Sequence, residues 1–298
     1  MPRPIPPPRD SGFTTTTELP LYWVTYGPAG APRLLLLHGG PGASHDYLLP
    51  QLLELAGAYE LTLYDQRGGG RSRPPNNAPI TWRTQVEDLA RVIDELGLHP
   101  PSIVGYSWGA MLGMLYAIEA QRNPGLTAPE RLVLIDPAPL TRQYRADFEA
   151  EFARRQASPV VQAMRDELAA SGLKERDPAA YRQRLFELGV AGYFADPRAA
   201  RELTPFRVTG RVQQSVWESL GDFDVIADLE GMRIPALITH GRQDPIPLAS
   251  SQGAARAMGA PLEIIEACGH VPYVEQPDAL FAAVHRFLRE SATPARRP

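Results

Sequence analysis

Ile103-Val104-Gly105-Tyr106-Ser107-Trp108-Gly109 runs straight into the apolar, helix-like stretch Ala110–Ala120. A β-branched run, a tight turn and a helix, in that order, present a serine hydroxyl at the end of a strand. Such a turn needs small flanking residues. A Cβ at Gly105 or Gly109 would collide with the crossing strand or helix. Gly-x-Ser-x-Gly alone is common by chance, and it is the strand–turn–helix setting that makes Ser107 a candidate nucleophile.

Outward from this turn, strand and helix patterns alternate. Leu19–Tyr26 reads as a strand. Arg33–Leu37 reads as a buried strand feeding His38-Gly39-Gly40-Pro41-Gly42. A helix is expected over His45–Leu55, and a strand over Glu60–Tyr64 before Asp65-Gln66-Arg67-Gly68-Gly69-Gly70. Thr81 is a natural N-cap for an amphipathic helix Trp82–Leu96. Then follow strand Ser102–Tyr106, helix Trp108–Ala120 and strand Arg131–Ile135. After Asp136-Pro137-Ala138-Pro139 the alternation stops. Residues 140–225 are richer in charge and helix-like, as at Arg145–Gln156, Val160–Ser171 and Pro178–Leu188. The βα pattern resumes with strand Ile234–His240, helix Leu248–Met258, strand Leu262–Ile265 and helix Pro277–Arg289. These spans predict an α/β chain with a mostly parallel central sheet flanked by helices and a helical cap inserted after strand Arg131–Ile135, taken as the sixth strand of the fold. The divisions are a Pro-rich segment 1–12, extended or disordered, a core of 13–138 and 226–292, and a cap of 139–225.

Composition narrows the class. The 298 residues, 44% of them hydrophobic, suffice for one large domain with an insertion. A net charge of −4 without any basic face gives no reason to expect nucleic acid. The single cysteine, Cys268, excludes an intrachain disulfide and leaves no cysteine cluster for a metal. No apolar stretch approaches the roughly 20 residues that cross a bilayer, and Met1–Asp10 lacks the apolar centre of a signal peptide. A cytoplasmic location and no membrane partner are therefore expected.

A neutral serine needs a base, and the base needs an orienting acid. Among the six histidines, His270 follows strand Leu262–Ile265, where its loop falls at the carboxyl edge of the sheet. His240 at a strand end, His99 in a helix-end turn and His285 on a surface helix read as structural. His45 lies near the first helix, facing the pocket or capping. For the acid, Asp244 follows the strand ending at His240 and gives the order Ser107, Asp244, His270. Asp136 also ends a strand and competes, whereas Asp65 precedes the nucleophile and fits worse. Donors for a developing oxyanion are expected from the backbone N–H of Trp108 and of Gly39 and Gly40. Cys268 is expected to be a buried, inert thiol.

Three motifs now coincide: His38-Gly39-Gly40-Pro41-Gly42, Asp65-Gln66-Arg67-Gly68-Gly69-Gly70-Arg71-Ser72 and Gly105-Tyr106-Ser107-Trp108-Gly109. Together they resemble the proline iminopeptidase (prolyl aminopeptidase) family of serine peptidases, within the α/β-hydrolase superfamily. The resemblance implies a cofactor-free, metal-free hydrolase that releases an N-terminal residue, typically proline, from a small peptide through an acyl-enzyme. Gln66 and Arg67 would brace loops beneath the site. The family has Cys where Gly69 stands, expected here to be a minor packing change. Its members hold the substrate ammonium with acids before a Tyr-Phe pair in the cap and after the catalytic Asp. Here Val190-Ala191-Gly192 precede Tyr193-Phe194, and Pro245 follows Asp244. Tyr193, Phe194 and Glu218 are the candidate substrate-binding residues, with Glu187, Asp196 and Glu202 as other nearby acids. The same machinery would also serve an esterase, a lactonase or a carbon–carbon bond hydrolase. Epoxide hydrolases and haloalkane dehalogenases require an aspartate at Ser107 and are excluded. A non-catalytic binding module typically lacks one of the three residues, and all three are present here.

Overall fold

Uninterrupted apolar runs such as Leu34–Leu37 lack the alternation of a half-exposed strand, and both of their faces are covered. The computed structural model describes residues 5–75 and 78–290. Residues 1–4 of the Pro-rich segment and 291–292 of the expected core lie outside the described residues. Eight strands form one sheet: β1 (Asp10–Phe13), β2 (Tyr22–Tyr26), β3 (Arg33–Leu37), β4 (Glu60–Tyr64), β5 (Ser102–Tyr106), β6 (Arg131–Ile135), β7 (Ala236–Gly241) and β8 (Leu262–Ile265). Their order is β1-β2-β4-β3-β5-β6-β7-β8. The pairs β1–β2 and β2–β4 are antiparallel, and all others are parallel. The longer helices are α1 (Trp82–Glu95), α2 (Trp108–Arg122), α3 (Arg142–Gln156), α4 (Pro159–Ala170), α5 (Pro178–Val190), α6 (Gly210–Leu220), α7 (Leu248–Met258) and α8 (Pro277–Glu290).

Successive strand residues serve opposite cores. Leu35, Leu37, Ile103, Leu132, Leu134 and Ile238 pack with α1, α2 and α7. Leu34, Leu36, Val104, Val133, Ile135 and Leu237 pack with residues 47–55 and α8. Full burial of each such side chain stabilises the sheet by roughly 2 kcal/mol. A period of two on a strand buried on both sides is why these segments read as continuous apolar runs.

The departures from expectation are local and have local causes. Asp10–Phe13, running from the end of the Pro-rich segment into the expected core, is an edge strand, β1, outside the strands expected from the sequence, paired from Asp10–Thr25 to Phe13–Tyr22. The strand expected from Leu19 begins only at Tyr22, because Pro20 has no N–H for a ladder. The helix expected over His45–Leu55 is three short turns, Asp46–Leu48, Leu49–Leu52 and Leu53–Gly57. Helix α3 starts before Arg145 because the Thr141 side chain accepts the Tyr144 amide. Nothing in the apolar pattern marked α6 or the short helix Pro272–Glu275.

Between β6 and β7 the described residues form helices and no strand of the sheet. The two ends of this insertion are stapled together. Thr141 and Asp224 form an isolated antiparallel bridge, the Arg142 amide donates to Phe223 O at 3.1 Å, and the Val225 amide donates to Leu140 O at 2.9 Å. Side-on bonds then hold α6 to the sheet domain: Thr209 N to Gly42 O at 2.9 Å and Ser215 Oγ to Ile80 O at 2.7 Å. Among the described residues no helix is long and apolar enough to cross a membrane.

The loop after β4 is anchored by a buried ion pair. Arg67 Nε and Nη2 each reach an Asp88 carboxylate oxygen at 2.8 Å, and Nη1 donates to Glu18 at 3.0 Å. Breaking one side of such a pair strands the other charge in the core. Arg67→Met should lower unfolding stability by about 3–5 kcal/mol, read from the urea midpoint, whereas Glu18→Gln, at an exposed partner, should cost under ~1 kcal/mol.

Candidate active site

The loops that follow β3, β4, β5, β6, β7 and β8 carry His38, Asp65, Ser107, Asp136, Asp244 and His270, so the chemistry-bearing side chains converge at one edge of the parallel sheet. Ser107 sits where β5 becomes α2, with φ 54° and ψ −117°. A left-handed non-glycine residue costs on the order of 1–3 kcal/mol and persists only when its surroundings hold it. Here the Ser107 amide donates to Ile135 O at 2.9 Å, and the Ala138 amide donates to Ser107 O at 3.0 Å. The turn also requires its glycines: a Cβ on Gly105 would lie 2.4 Å from Gly109 O, and one on Gly109 would lie 2.1 Å from Leu37 O. Around a buried turn, Ser107 remains partly exposed.

His270 Nε2 lies 2.9 Å from Ser107 Oγ, and His270 Nδ1 lies 2.7 Å from Asp244 Oδ2. The structure thus brings together Ser107, Asp244 and His270. Asp136 does not compete for the histidine. It accepts from the Gly241 amide at 2.7 Å and from Thr239 Oγ1 at 3.2 Å. Complete burial, followed by the neighbouring Asp244 charge, holds the Asp136 carboxyl well above the usual carboxylate range. Burial pushes Asp244 the same way, but the charge and hydrogen bond of His270, with His240 and the Ile246 amide, bring it below its ordinary value. The surroundings thus favour the protonated form of Asp136 and the charged form of Asp244, which faces His270.

The His270 loop is clamped from the insertion. The His270 amide donates to Tyr193 O at 2.7 Å, and the Tyr193 and His270 rings lie 5.3 Å apart. Glu275, on the short helix Pro272–Glu275, accepts from the Gly269 amide at 2.7 Å and the Ala195 amide at 2.8 Å. Nothing in the sequence pattern pointed to Glu275.

The glycine loop is built differently from expectation. The Gly39 amide is already donated to Tyr47 Oη at 2.8 Å, so it does not face the site; this corrects the expected role of Gly39. Tyr47 is buried against Tyr106 and Phe206, which fixes that hydroxyl. The Trp108 amide opens α2 and belongs to the donors that a helix leaves unpaired. Beneath the loop, Trp108 Nε1 donates to Gln66 Oε1 at 2.9 Å, Gln66 Nε2 donates to His38 O at 2.8 Å, and the Gln66 amide donates to His38 Nε2 at 3.0 Å. Gln66 thus ties Trp108 to the glycine loop, and Arg67 anchors its own loop from below. Asp65 accepts from the His45 ring and amide and from the Arg71 amide. Burial alone would raise its carboxyl; His45, His38 and the Arg71 amide bring it down to about 2.

Gly69 is not a minor packing change. Its Cβ would sit 1.8 Å from Ala43 O, closer than any side chain permits, so the two loops approach to a distance only glycine allows. The three candidate substrate residues fall in different surroundings. Phe194 is 2% exposed and packs in the core with Val190, Leu203 and Val271. Glu218 is exposed and accepts from Gln214 on its own helix. The other nearby acids are engaged too: Glu187 with Arg184 and Gln183, Asp196 with the Arg198 amide, Glu202 with Arg201. Of the three candidates, Tyr193 lies against the histidine, whose ring Tyr106 also contacts. His240 bonds Ser251 and Ile246, His99 Thr127, and His285 stacks on Tyr59. Cys268 is buried, and burial pushes its thiol up, away from the thiolate.

Burial, the largest influence, pulls His38 down to about 4 from 6.5. Between those values the unfolded chain binds a proton that the folded chain refuses, so stability is full above pH 6.5 and is lost as pH falls toward 4. The loss should be roughly 3 kcal/mol. His240, lowered chiefly by burial, adds a slope of the same sign. In urea unfolding at a series of pH values, His38→Gln should flatten the curve between pH 6.5 and 4; the loss below pH 4, where Asp65 protonates, should persist but shrink, because His38 is one of the groups that lower the Asp65 carboxyl.

The profile of the alpha/beta hydrolase family matches residues 34–284. The chain is 30% identical over 266 residues to the proline iminopeptidase of Lactobacillus delbrueckii subsp. lactis, covering 82% of this chain and 85% of that one. Among solved structures it is similar to the proline iminopeptidase of Mycobacterium smegmatis, with a TM-score of 0.69, 21% identity, and 95% and 98% of the two chains covered. It is also similar to the enol-lactonase from Burkholderia xenovorans, with a TM-score of 0.65, 20% identity, and 93% and 100% covered. At such identities the two structures speak for the fold.

Proposed function

The chain belongs to the alpha/beta hydrolase family, and we propose on that premise that it is a serine hydrolase working through an acyl-enzyme. The observation that carries this reading is the unbroken line from Ser107 Oγ through His270 to Asp244, at 2.9 and 2.7 Å, ending on a serine left partly open. With Asp244 ionised, His270 carries its proton on Nδ1 and offers the Nε2 lone pair to the Ser107 hydroxyl. As Oγ bonds to the substrate carbonyl carbon, its proton passes to Nε2, and the carbonyl oxygen takes up negative charge. The amides of Trp108 and Gly40 receive that oxyanion, each donor worth on the order of 3 kcal/mol. His270 returns the proton to the leaving oxygen or nitrogen. Water, deprotonated by the same nitrogen, then releases the acid and restores Ser107.

A small ester or lactone under an aromatic lid is the substrate reading that the site supports best, because the candidate acids Glu187, Asp196, Glu202 and Glu218 are each engaged by neighbouring groups. A second reading, release of an N-terminal proline, is favoured by the 30% identity to a proline iminopeptidase. Intact protein should be labelled by a fluorophosphonate probe and Ser107→Ala should not. Ser107→Ala should also lose at least ~10⁴-fold in kcat. Compared side by side, a short p-nitrophenyl ester should be turned over in preference to Pro-β-naphthylamide. Hydrolysis of the free-amine amide, without the ester or the N-blocked amide, would establish the aminopeptidase instead.

A further inference from the structure

An amide of the glycine loop that is spent on a tyrosine leaves the tyrosine's own proton to be placed. The Gly39 amide donates to Tyr47 Oη at 2.8 Å, so the phenol oxygen is an acceptor there and its O–H remains a donor. Among the described residues no acceptor takes that proton. Buried tyrosine hydroxyls ordinarily find one. Tyr106 donates to His270 O at 3.0 Å, and Tyr116 to Thr127 O at 2.8 Å. Tyr47 is buried, and burial holds its phenol far on the neutral, donating side.

The hydroxyl stands beside the nucleophile. A Cβ built on Gly39 would lie 2.8 Å from Tyr47 Oη and 3.2 Å from Ser107 Cβ, so the two side chains flank a single point against the glycine loop. That point is free only because residue 39 is glycine. Oη and Ser107 Cβ are therefore no further apart than the sum of those two distances, a span that a tetrahedral carbon bonded to Oγ can bridge with its oxygen. The ring is held in place, stacked on Phe206 at 4.3 Å and edge-on to Tyr106 at 6.3 Å. Tyr193, 5.3 Å from the His270 ring, is near enough to interact electrostatically with the Tyr47 phenol. Nucleophile, base and hydroxyl thus share one neighbourhood.

We propose that Tyr47 is a further catalytic residue: its O–H donates to the carbonyl oxygen as Ser107 Oγ adds to the carbonyl carbon. This rests on the serine-hydrolase reading above and adds a third donor to the amides of Trp108 and Gly40. The proton stays on Oη throughout, and the hydrogen bond weakens again when the tetrahedral centre collapses and the carbonyl re-forms. The Gly39 amide contributes through the tyrosine, because donating to Oη polarises the O–H. A hydroxyl fixed in advance by its ring contacts needs no reorganisation when the charge develops.

Tyr47→Phe keeps the ring and removes the hydroxyl. It should lower kcat for p-nitrophenyl butyrate by about 10²-fold and leave KM within about twofold. Affinity for a trifluoromethyl ketone, which becomes an oxyanion on Ser107, should fall by a similar factor. The corresponding methyl ketone, which remains a carbonyl, should bind both proteins alike. A kcat within about threefold of wild type overturns the assignment. So does equal weakening of both ketones, the mark of a hydroxyl that only holds the loop in shape. The wild-type protein provides a test without any variant. In a crystal structure of the diethylphosphoryl adduct on Ser107, a phosphoryl oxygen should lie about 3 Å from Tyr47 Oη. An oxygen held by the Trp108 and Gly40 amides with Tyr47 out of reach overturns the assignment and leaves the serine hydrolase intact. Failure of Ser107 to form any adduct refutes the serine hydrolase, and the assignment with it.

Discussion

The turn at Ser107 is the constraint on which the rest of the site depends. A residue at φ 54° between a buried strand and a buried helix is unfavourable by itself, and it is held by bonds from Ile135 and Ala138 on the neighbouring strand and its loop. Backbone approaches of 2.4 and 2.1 Å to the virtual side chains of Gly105 and Gly109 show how little room remains. The strand ladder supplies the rigidity, the two cores supply the free energy, and the turn uses both to lift one hydroxyl out of the packed interior.

Electrostatics around that hydroxyl depend on which of two buried acids is charged. Asp136 and Asp244 end adjacent strands, and neither strand position distinguishes them. Their hydrogen bonds do. Asp136 is enclosed by Thr239 and the Gly241 amide, while Asp244 meets His270 and the Ile246 amide. Two like charges in one dry site are mutually unfavourable, so the surroundings favour the charged form of the acid that faces the imidazole and the neutral form of the other. The same economy of donors shapes the glycine loop, where the Tyr47 hydroxyl takes up one amide and Gln66 ties the loop to Trp108.

The helical insertion is tied to the sheet domain at its ends and to the site from its interior. Its ends are stapled at Thr141–Asp224. Its interior reaches the site through aromatic contacts and through Glu275, which joins the 193–195 segment to the loop carrying His270. Acids that could have faced a substrate amine are bound to neighbouring arginines, glutamines or amides. The chain is similar over most of its length to a proline iminopeptidase and in fold to an enol-lactonase.

The sequence by itself determined the seven strands from Tyr22 onward, the insertion after Ile135, and the order Ser107, Asp244, His270. Each of these follows from local rules: apolar period, turn residues, and loops that must fall at the carboxyl edge of parallel strands. Gly-x-Ser-x-Gly is legible for the same reason, since its strand and helix are contiguous with it. Only the tertiary structure decided the rest. Whether Gly39 or Gly40 offers its amide depends on Tyr47, and whether Asp136 carries charge depends on a strand roughly 100 residues away. Phe194, beside Tyr193 in the chain, turns into the core while Tyr193 meets the histidine. Local periodicity encodes which face of an element is apolar. Which donor is left without an acceptor is a property of surroundings that only folding assembles.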